Sequence, residues 1–403
     1  MAPSKFGGGR ICDRQNGAIP FDDTKPNCII VVHDSSRTGC PIHTWSMLCE
    51  LNKAYNVLAI SLKSGPLDGL FKAQSTEFVV FNGFVQQNSN FLHLSLLDLI
   101  SGRNYLFAIV NGIYSWPILP VLSWHRIPSI VCVHEFAQYC SMDALRSVFQ
   151  YGTQLVYSSR LCLQATANAL GIDTSNIPVL PQGKSALPVD DTIEPTERER
   201  CVINHLRHTK KEKNEIYVLG CGTVEYRKGF DLFIRVAGAI KQKAPGTNFR
   251  FLWAGAGYDP ERDFTSKVIK AQIDTLELGD SFEYLGFVQF IDKVYELCDL
   301  FLLTSILDPL PGVAIEAMSH SLPVLCFDKA SGFPEMFRSA EMADCSVVPY
   351  LDLDAMAEMA VRLANDRQWR ERTIARQRRF YESHFDMAKY VRKLLDLVPS
   401  ATK

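Results

Sequence analysis

The strongest constraint on the fold of this chain is an alternation that runs nearly from end to end. Compact apolar runs, rich in β-branched residues, alternate with segments of helical or loop character. "CIIVVHD" (28–34) is the first run, and a helix-like segment follows from about Pro41 to Tyr55. "NVLAISL", "TEFVVFN", "YLFAIVNG", "IPSIVCVHEF" and "QLVYSS" continue the series. Continuous apolar strands separated by helices predict a parallel sheet covered on both faces. The pattern pauses in a polar, charged, proline-bearing stretch at 181–215, then resumes with "IYVLGCG", "FRFLWAGAG", "FEYLGFV", "LFLLTS", "LPVLCFD" and "SVVPY". The expectation is an α/β chain of two doubly wound domains in tandem. At 403 residues the chain is also too long for one ordinary core.

The expected boundaries follow from that pattern. Residues 1–27 read as a disordered lead-in and 28–184 as a first Rossmann-like domain. Residues 185–214 read as a linker with an exposed helix, 215–380 as a second Rossmann-like domain, and 381–403 as a C-terminal helix able to cross back to the first. The start, "MAPSKFGGGRICDRQNG", lacks the apolar core of a secretory signal, and no run is long and apolar enough for a membrane helix. A net charge of -2 gives no overall bias toward nucleic acid. The twelve cysteines form no C-x-x-C pair and no zinc spacing, so reduced, buried thiols in a cytoplasmic protein are expected.

Ligands of such sheets bind at the carboxyl ends of the strands, at the topological switch point. With two such domains, the expected site is the cleft between them. Four constellations fall at strand ends. In "DPLPGVAIEA" (308–317), Pro311 and Gly312 open a helix after the strand "LFLLTS". Free amides at that terminus suit a phosphate, and Asp308 and Glu316 suit hydroxyl-rich groups on either side. Read alone, the segment fits equally well a capping Asp308 and a surface Glu316. In "GCGTVEYRKGF" (220–230), Arg227 and Lys228 suit a diphosphate, although isolated basic pairs are commonly solvated. In "HDSSRTGCP" (33–41), Gly39 enters a helix and offers a second anion site or an ordinary capped start. In "VCVHEF" (131–136), His134 ends a buried strand and can bond or protonate a polar group, or simply serve the structure.

Other chemistries lose support. "GCGTVE" and "GAGYDP" lack the third glycine of a dinucleotide fingerprint, and there is no Walker loop, nucleophile elbow or zincin helix.

Taken in order, "RKGFDLF", "WAGAG", "YLGFV", "CDLFLLTS", "DPLPGVAIEAMSHSLPVLCFD" and "GFPE" resemble the GT-B glycosyltransferases of family 4, the group 1 retaining transferases. The likeness spans about 28 to 398. The first domain is similar to members that build bacterial surface polysaccharides. The resemblance implies a retaining, metal-independent transfer of a sugar from a nucleotide-sugar donor (UDP-, GDP- or TDP-linked) to a glycan or lipid-linked glycan hydroxyl, with no cofactor. It implies Asp308, Lys228 and His134 as catalytic residues. Glu316 would contact the ribose, and Gly312, Val313 and Ala314 the sugar and diphosphate. Arg227 would assist the diphosphate, Gly286, Phe287 and Val288 would hold the base, and Gly39 would lie near the diphosphate and acceptor. This chain departs from the pattern in two places. The first acid is Asp308 rather than Glu, and Thr223 stands where many members carry Arg.

A nucleotide-sugar epimerase of the same fold and a non-catalytic GT-B subunit are the alternatives. The basic clusters "RHTKKEK" and "RERTIARQRR" raise peripheral contact with an anionic inner membrane face, and a solvated surface explains them equally.

Overall fold

The computed structural model describes residues 12–81, 100, 102–188 and 195–399. Residues 1–11 of the expected lead-in, 189–194 of the expected linker and 400–403 of the expected final helix lie outside the described residues. The chain divides into two units, Met1–Pro188 with Phe385–Lys403, and Val189–His384.

The first unit is built on β1 (Cys12–Asn16), β2 (Asn27–Val32), β3 (Asn56–Ser61), β4 (Glu77–Phe81), β5 (Tyr105–Asn111), β6 (Ser129–Val133) and β7 (Gln154–Tyr157). Their order is β1-β4-β3-β2-β5-β6-β7. All pairs are parallel except β1 with β4. Ile30 stands between Ala59 and Ile109, so the most apolar strand is the central one. The order reverses between β2 and β5, which is the switch point.

β1 corrects the expectation of a disordered lead-in at its C-terminal part. "CDRQN" has no apolar run and so gave no strand signal. It is held from the edge: Arg14 donates to both carboxylate oxygens of Glu77 at 3.0 Å, and Arg103 adds a second cation to the same acid. The final helix, Met387–Leu395, belongs to this unit. Its Tyr390, Val391 and Leu394 are buried in one core with Trp45 and Leu48 of the helix Gly39–Leu51 and with Ile30 and Ile109 of the sheet.

The second unit contains β8 (Ile216–Cys221), β9 (Phe249–Ala254), β10 (Phe282–Gly286), β11 (Leu300–Leu303), β12 (Val324–Phe327) and β13 (Val347–Val348). The order is β10-β9-β8-β11-β12-β13, parallel throughout, with the switch point between β8 and β11. Phe233, Phe251 and Trp253 centre a core that the helices Phe230–Lys243 and Leu353–Asn365 cover.

The helix Glu197–Lys213 begins with a capping box between Thr196 and Glu199. Most of it is exposed, but Ile203, Leu206 and Thr209 are buried, and Thr209 meets the Tyr217 hydroxyl at 2.7 Å. The second half of the expected linker is therefore part of the second unit.

Candidate functional site

In the second unit, the loops after β8 and β11 meet beside the switch point. After β8 the chain makes a short 3-10 turn, Tyr226–Lys228, and Gly229 follows at φ 66. A Cβ at Gly229 would lie 2.0 Å from the Thr304 carbonyl oxygen, so glycine permits both the left-handed turn and its approach to the end of β11. Ile306 N then donates to the Arg227 carbonyl at 2.8 Å, stitching the two loops together.

This closure brings Lys228 and Asp308 into contact. Lys228 Nζ donates to Asp308 Oδ2 at 2.5 Å, and Arg227 Nη1 reaches Oδ1 at 3.4 Å. Asp308 is 5% exposed, so the acid is buried and neutralised by two cations. Arg227 also pairs with Glu225 at 2.9 Å, yet its guanidinium points toward the same carboxylate as Lys228. Thr223 is exposed in the same loop.

Gly312 begins the helix Gly312–Ser319, with Pro311 extended at the N-cap and no side-chain cap. Proline suits this start because it has no amide to satisfy. The Ala314 amide donates to the Pro311 carbonyl at 3.2 Å. Of the three amides expected to face a ligand, those of Gly312 and Val313 have no acceptor among the described residues, whereas that of Ala314 is engaged. Glu316 lies one turn on. Its Oε2 is 3.2 Å from the Tyr295 hydroxyl, which is also 3.2 Å from the Val313 carbonyl. Burial, then the charges of Cys221 and Glu316, push the Tyr295 phenol well up. Cys221, at the end of β8, is raised to about 12 by burial and by Glu316, against the opposing pull of Lys228. Cys221 and Tyr295 thus belong to the cluster, though sequence reasoning passed over both. Cys221 reads as a small hydrophobe, and Tyr295 lies in a run with no motif.

Gly286 closes β10 at φ 70, and Arg198 Nη2 would stand 2.9 Å from a Cβ placed there. Phe287 is exposed and Val288 half-buried. Glu199 holds this loop, because its Oε1 accepts the Gln289 amide at 2.6 Å while Oε2 accepts the Thr196 amide and hydroxyl. Burial raises the Glu199 pKa, but these hydrogen bonds outweigh it and the net shift is downward.

The first unit carries its own strand-end cluster. Gly39 starts the helix Gly39–Leu51 with Thr38 at the N-cap and no side-chain cap, and the space beside Gly39 is open. His134 follows β6, and its Nε2 lies 2.9 Å from Asn111 Oδ1 at the end of β5. Asn111 Nδ2 donates to Thr44 Oγ1 at 2.8 Å and to the Cys40 carbonyl at 3.2 Å, so Oδ1 is its acceptor. His134 Nε2 therefore bears the proton. Its Nδ1 is buried without a hydrogen-bond partner among the described residues, and burial lowers the pKa to about 4. A neutral imidazole of this kind is not a general acid near neutral pH. Glu135, half-buried, accepts the amides of Ile113 and His134 at 3.0 Å, and desolvation of its carboxylate raises its pKa. Asn111 was not anticipated. Its only sequence signal is its position as the polar end of "YLFAIVN".

Residues 203–380 match the family model described as glycosyl transferases group 1. Over 110 residues the chain is 27% identical to mannosylfructose-phosphate synthase of Agrobacterium fabrum, covering 27% of this chain and 24% of that protein. It is 30% identical over 123 residues to alpha-galactosylglucosyldiacylglycerol synthase of Streptococcus pneumoniae, covering 28% and 29%. The chain thus spans about a quarter of the length of these curated relatives. Among solved structures, Anabaena Alr3699/HepE in complex with UDP and glucose superposes with TM-score 0.74 at 16% identity, over 92% of this chain and 98% of that one. The sucrose-phosphate synthase of Thermosynechococcus elongatus gives TM-score 0.67 at 16% identity, over 93% and 98%. These structural likenesses establish the fold, GT-B, with its two parallel-sheet α/β domains. The family match itself lies wholly within the second unit.

Proposed function

We propose that the chain is a glycosyltransferase that moves a sugar from a nucleotide-sugar donor to an acceptor hydroxyl, and that the donor binds at the switch point of the second unit. One observation carries the reading. A buried Asp308 gathers Lys228 and Arg227 beside two open amides at a helix start, with Glu316 one turn further on. Cations and helix-terminal amides stabilise a leaving diphosphate, and a carboxylate one turn away suits ribose hydroxyls. The group 1 match over the same residues supports this.

In the reaction, the bond between the sugar anomeric carbon and the β-phosphate oxygen breaks, and a bond to the acceptor oxygen forms. Lys228, assisted by Arg227 and the amides of Gly312 and Val313, takes the charge that develops on the β-phosphate. Asp308 turns from its cations to the donor-sugar hydroxyls as the diphosphate binds. The configuration is retained by front-face attack, the acceptor proton passing to the leaving phosphate, with no divalent metal. The first unit receives the acceptor, a glycan or lipid-linked glycan, near Gly39 and His134. The depressed pKa of His134 favours hydrogen bonding over proton donation.

Peripheral association with an anionic membrane face belongs to the same proposal. Among the described residues, no helix is long and apolar enough to cross a membrane.

The test is incubation of the purified chain with UDP-, GDP- and TDP-sugars and candidate glycan acceptors, following nucleoside diphosphate release and new glycosidic product. Release coupled to product supports the reading. A new nucleotide sugar formed from donor alone would instead identify an epimerase. Binding without turnover across valid acceptors would identify a non-catalytic subunit.

A further inference from the structure

Resting on that donor reading, we infer that Arg198 selects the base of the donor, favouring bases with an oxo group at pyrimidine C4 or purine C6 (uracil, thymine, guanine) over those with an amino group there (cytosine, adenine). A depression of about 450 Å³ lies where the start of the helix Glu197–Lys213 meets the loop after β10, lined by Arg198, Ile203, Leu285, Phe287 and Val288 among others. Its size is that of a small-molecule pocket.

Its location fits the far end of a nucleoside diphosphate. The contact between Tyr295 and Glu316 ties the helix Ile291–Tyr295, which directly follows this loop, to the anion site. Two strand spacings, about 10 Å, separate β8 from β10, a reach that an extended nucleoside diphosphate covers. The loop also presents suitable groups. Phe287 is 56% exposed and offers a face for a planar ring. Among the described residues, the amides of Phe287 and Val288 carry no hydrogen bond, so they remain available to a base edge.

An amide backbone both donates and accepts, so the loop alone suits any base. Arg198 breaks that symmetry. One Nη2 hydrogen bond, 3.1 Å to the Leu285 carbonyl, orients the guanidinium over Gly286, where no side chain obstructs it. Its other N–H groups have no partner among the described residues. Guanidinium has donors only. It complements O4 of uracil and thymine and O6 of guanine, and it opposes the amino groups that cytosine and adenine carry at those positions. The residue lies in a stretch that reads as linker, so no motif marks it.

The test is calorimetric titration of UDP, GDP, ADP and CDP into the full chain and into Arg198→Ala, with Lys228→Ala as a control. The wild type is expected to bind UDP and GDP about tenfold more tightly than ADP and CDP. Arg198→Ala, an exposed substitution, should melt normally and bring all four within about threefold. Lys228→Ala should weaken all four and keep their ranking. Equal wild-type affinities, or a preference that survives in Arg198→Ala, overturn the inference and leave the donor reading standing. Failure of all four diphosphates to bind the wild type overturns both.

Discussion

At the scale of single residues, the account turns on charges that are buried with their partners. Asp308 is held by Lys228 at 2.5 Å and by Arg227 at 3.4 Å. Replacing it with Asn removes an anion from beside two cations and, on the proposed donor reading, one of the two acceptor oxygens offered to the sugar. Turnover is expected to fall by at least about 100-fold, the scale of losing one transition-state contact, as measured by diphosphate release. Asp308→Glu, which restores the more usual first acid, tests whether the shorter side chain suits this donor. His134 provides a pH prediction. Its folded pKa, about 4, lies below its ordinary value of 6.5. The unfolded chain therefore binds the proton more readily. The stability this gives is full above about pH 6.5 and is lost as pH falls toward 4, on the order of 3 kcal/mol in all. Amide-exchange protection of β5 and β6, corrected for intrinsic exchange, should drop across that window and flatten in His134→Asn. Asp308, Lys228 and Glu316 were legible in the sequence because they sit in an ordered set of motifs. Asn111, Cys221 and Tyr295 were not, because their roles come from neighbours brought together only by the fold.

At the scale of elements, loops at strand ends are held by specific backbone devices. Gly229 allows the Tyr226–Lys228 turn to rest against the end of β11, with Thr304 O only 2.0 Å from where a Cβ would lie. Gly229→Ala should cost roughly 3 kcal/mol in the second unit and separate Lys228 from Asp308, seen as a lower unfolding midpoint together with weaker diphosphate binding. Glu199 performs a comparable task for the loop after β10, through the Gln289 amide at 2.6 Å. Glu199→Ala should raise amide exchange in 286–290 more than in β11. Equal protection in the two would remove the tether from the account. Apolar strands and their following helices were readable from hydrophobic pattern. The polar edge strand β1 and the docking of the helix Glu197–Lys213 were not, since ion pairs and one capping box specify them rather than periodicity.

At the scale of the whole molecule, the alternation of strands and helices was enough to indicate two doubly wound domains, and both sheets have the same reversal of strand order about a switch point. For the end of the chain the pattern offered a C-terminal helix able to cross back to the first domain, without the contacts it would make. From Phe385 onward the chain belongs to the first unit, and Tyr390, Val391 and Leu394 are buried there. Each buried side chain of this size contributes roughly 1.5–3 kcal/mol, so the three together rival the net stability of a domain. A chain ending at His384 should lose the cooperative folding of the first unit while the second unit keeps its diphosphate binding. Limited proteolysis would read the first effect and calorimetry the second.

The claim that the second unit's switch point is the donor site is tested most directly by one titration. The tightest-binding nucleoside diphosphate is titrated into the wild type and into Lys228→Ala, with melting curves confirming that both are folded. Saturable wild-type binding, weakened about tenfold or more in the variant, is the predicted result. The same dissociation constant in both proteins would contradict it.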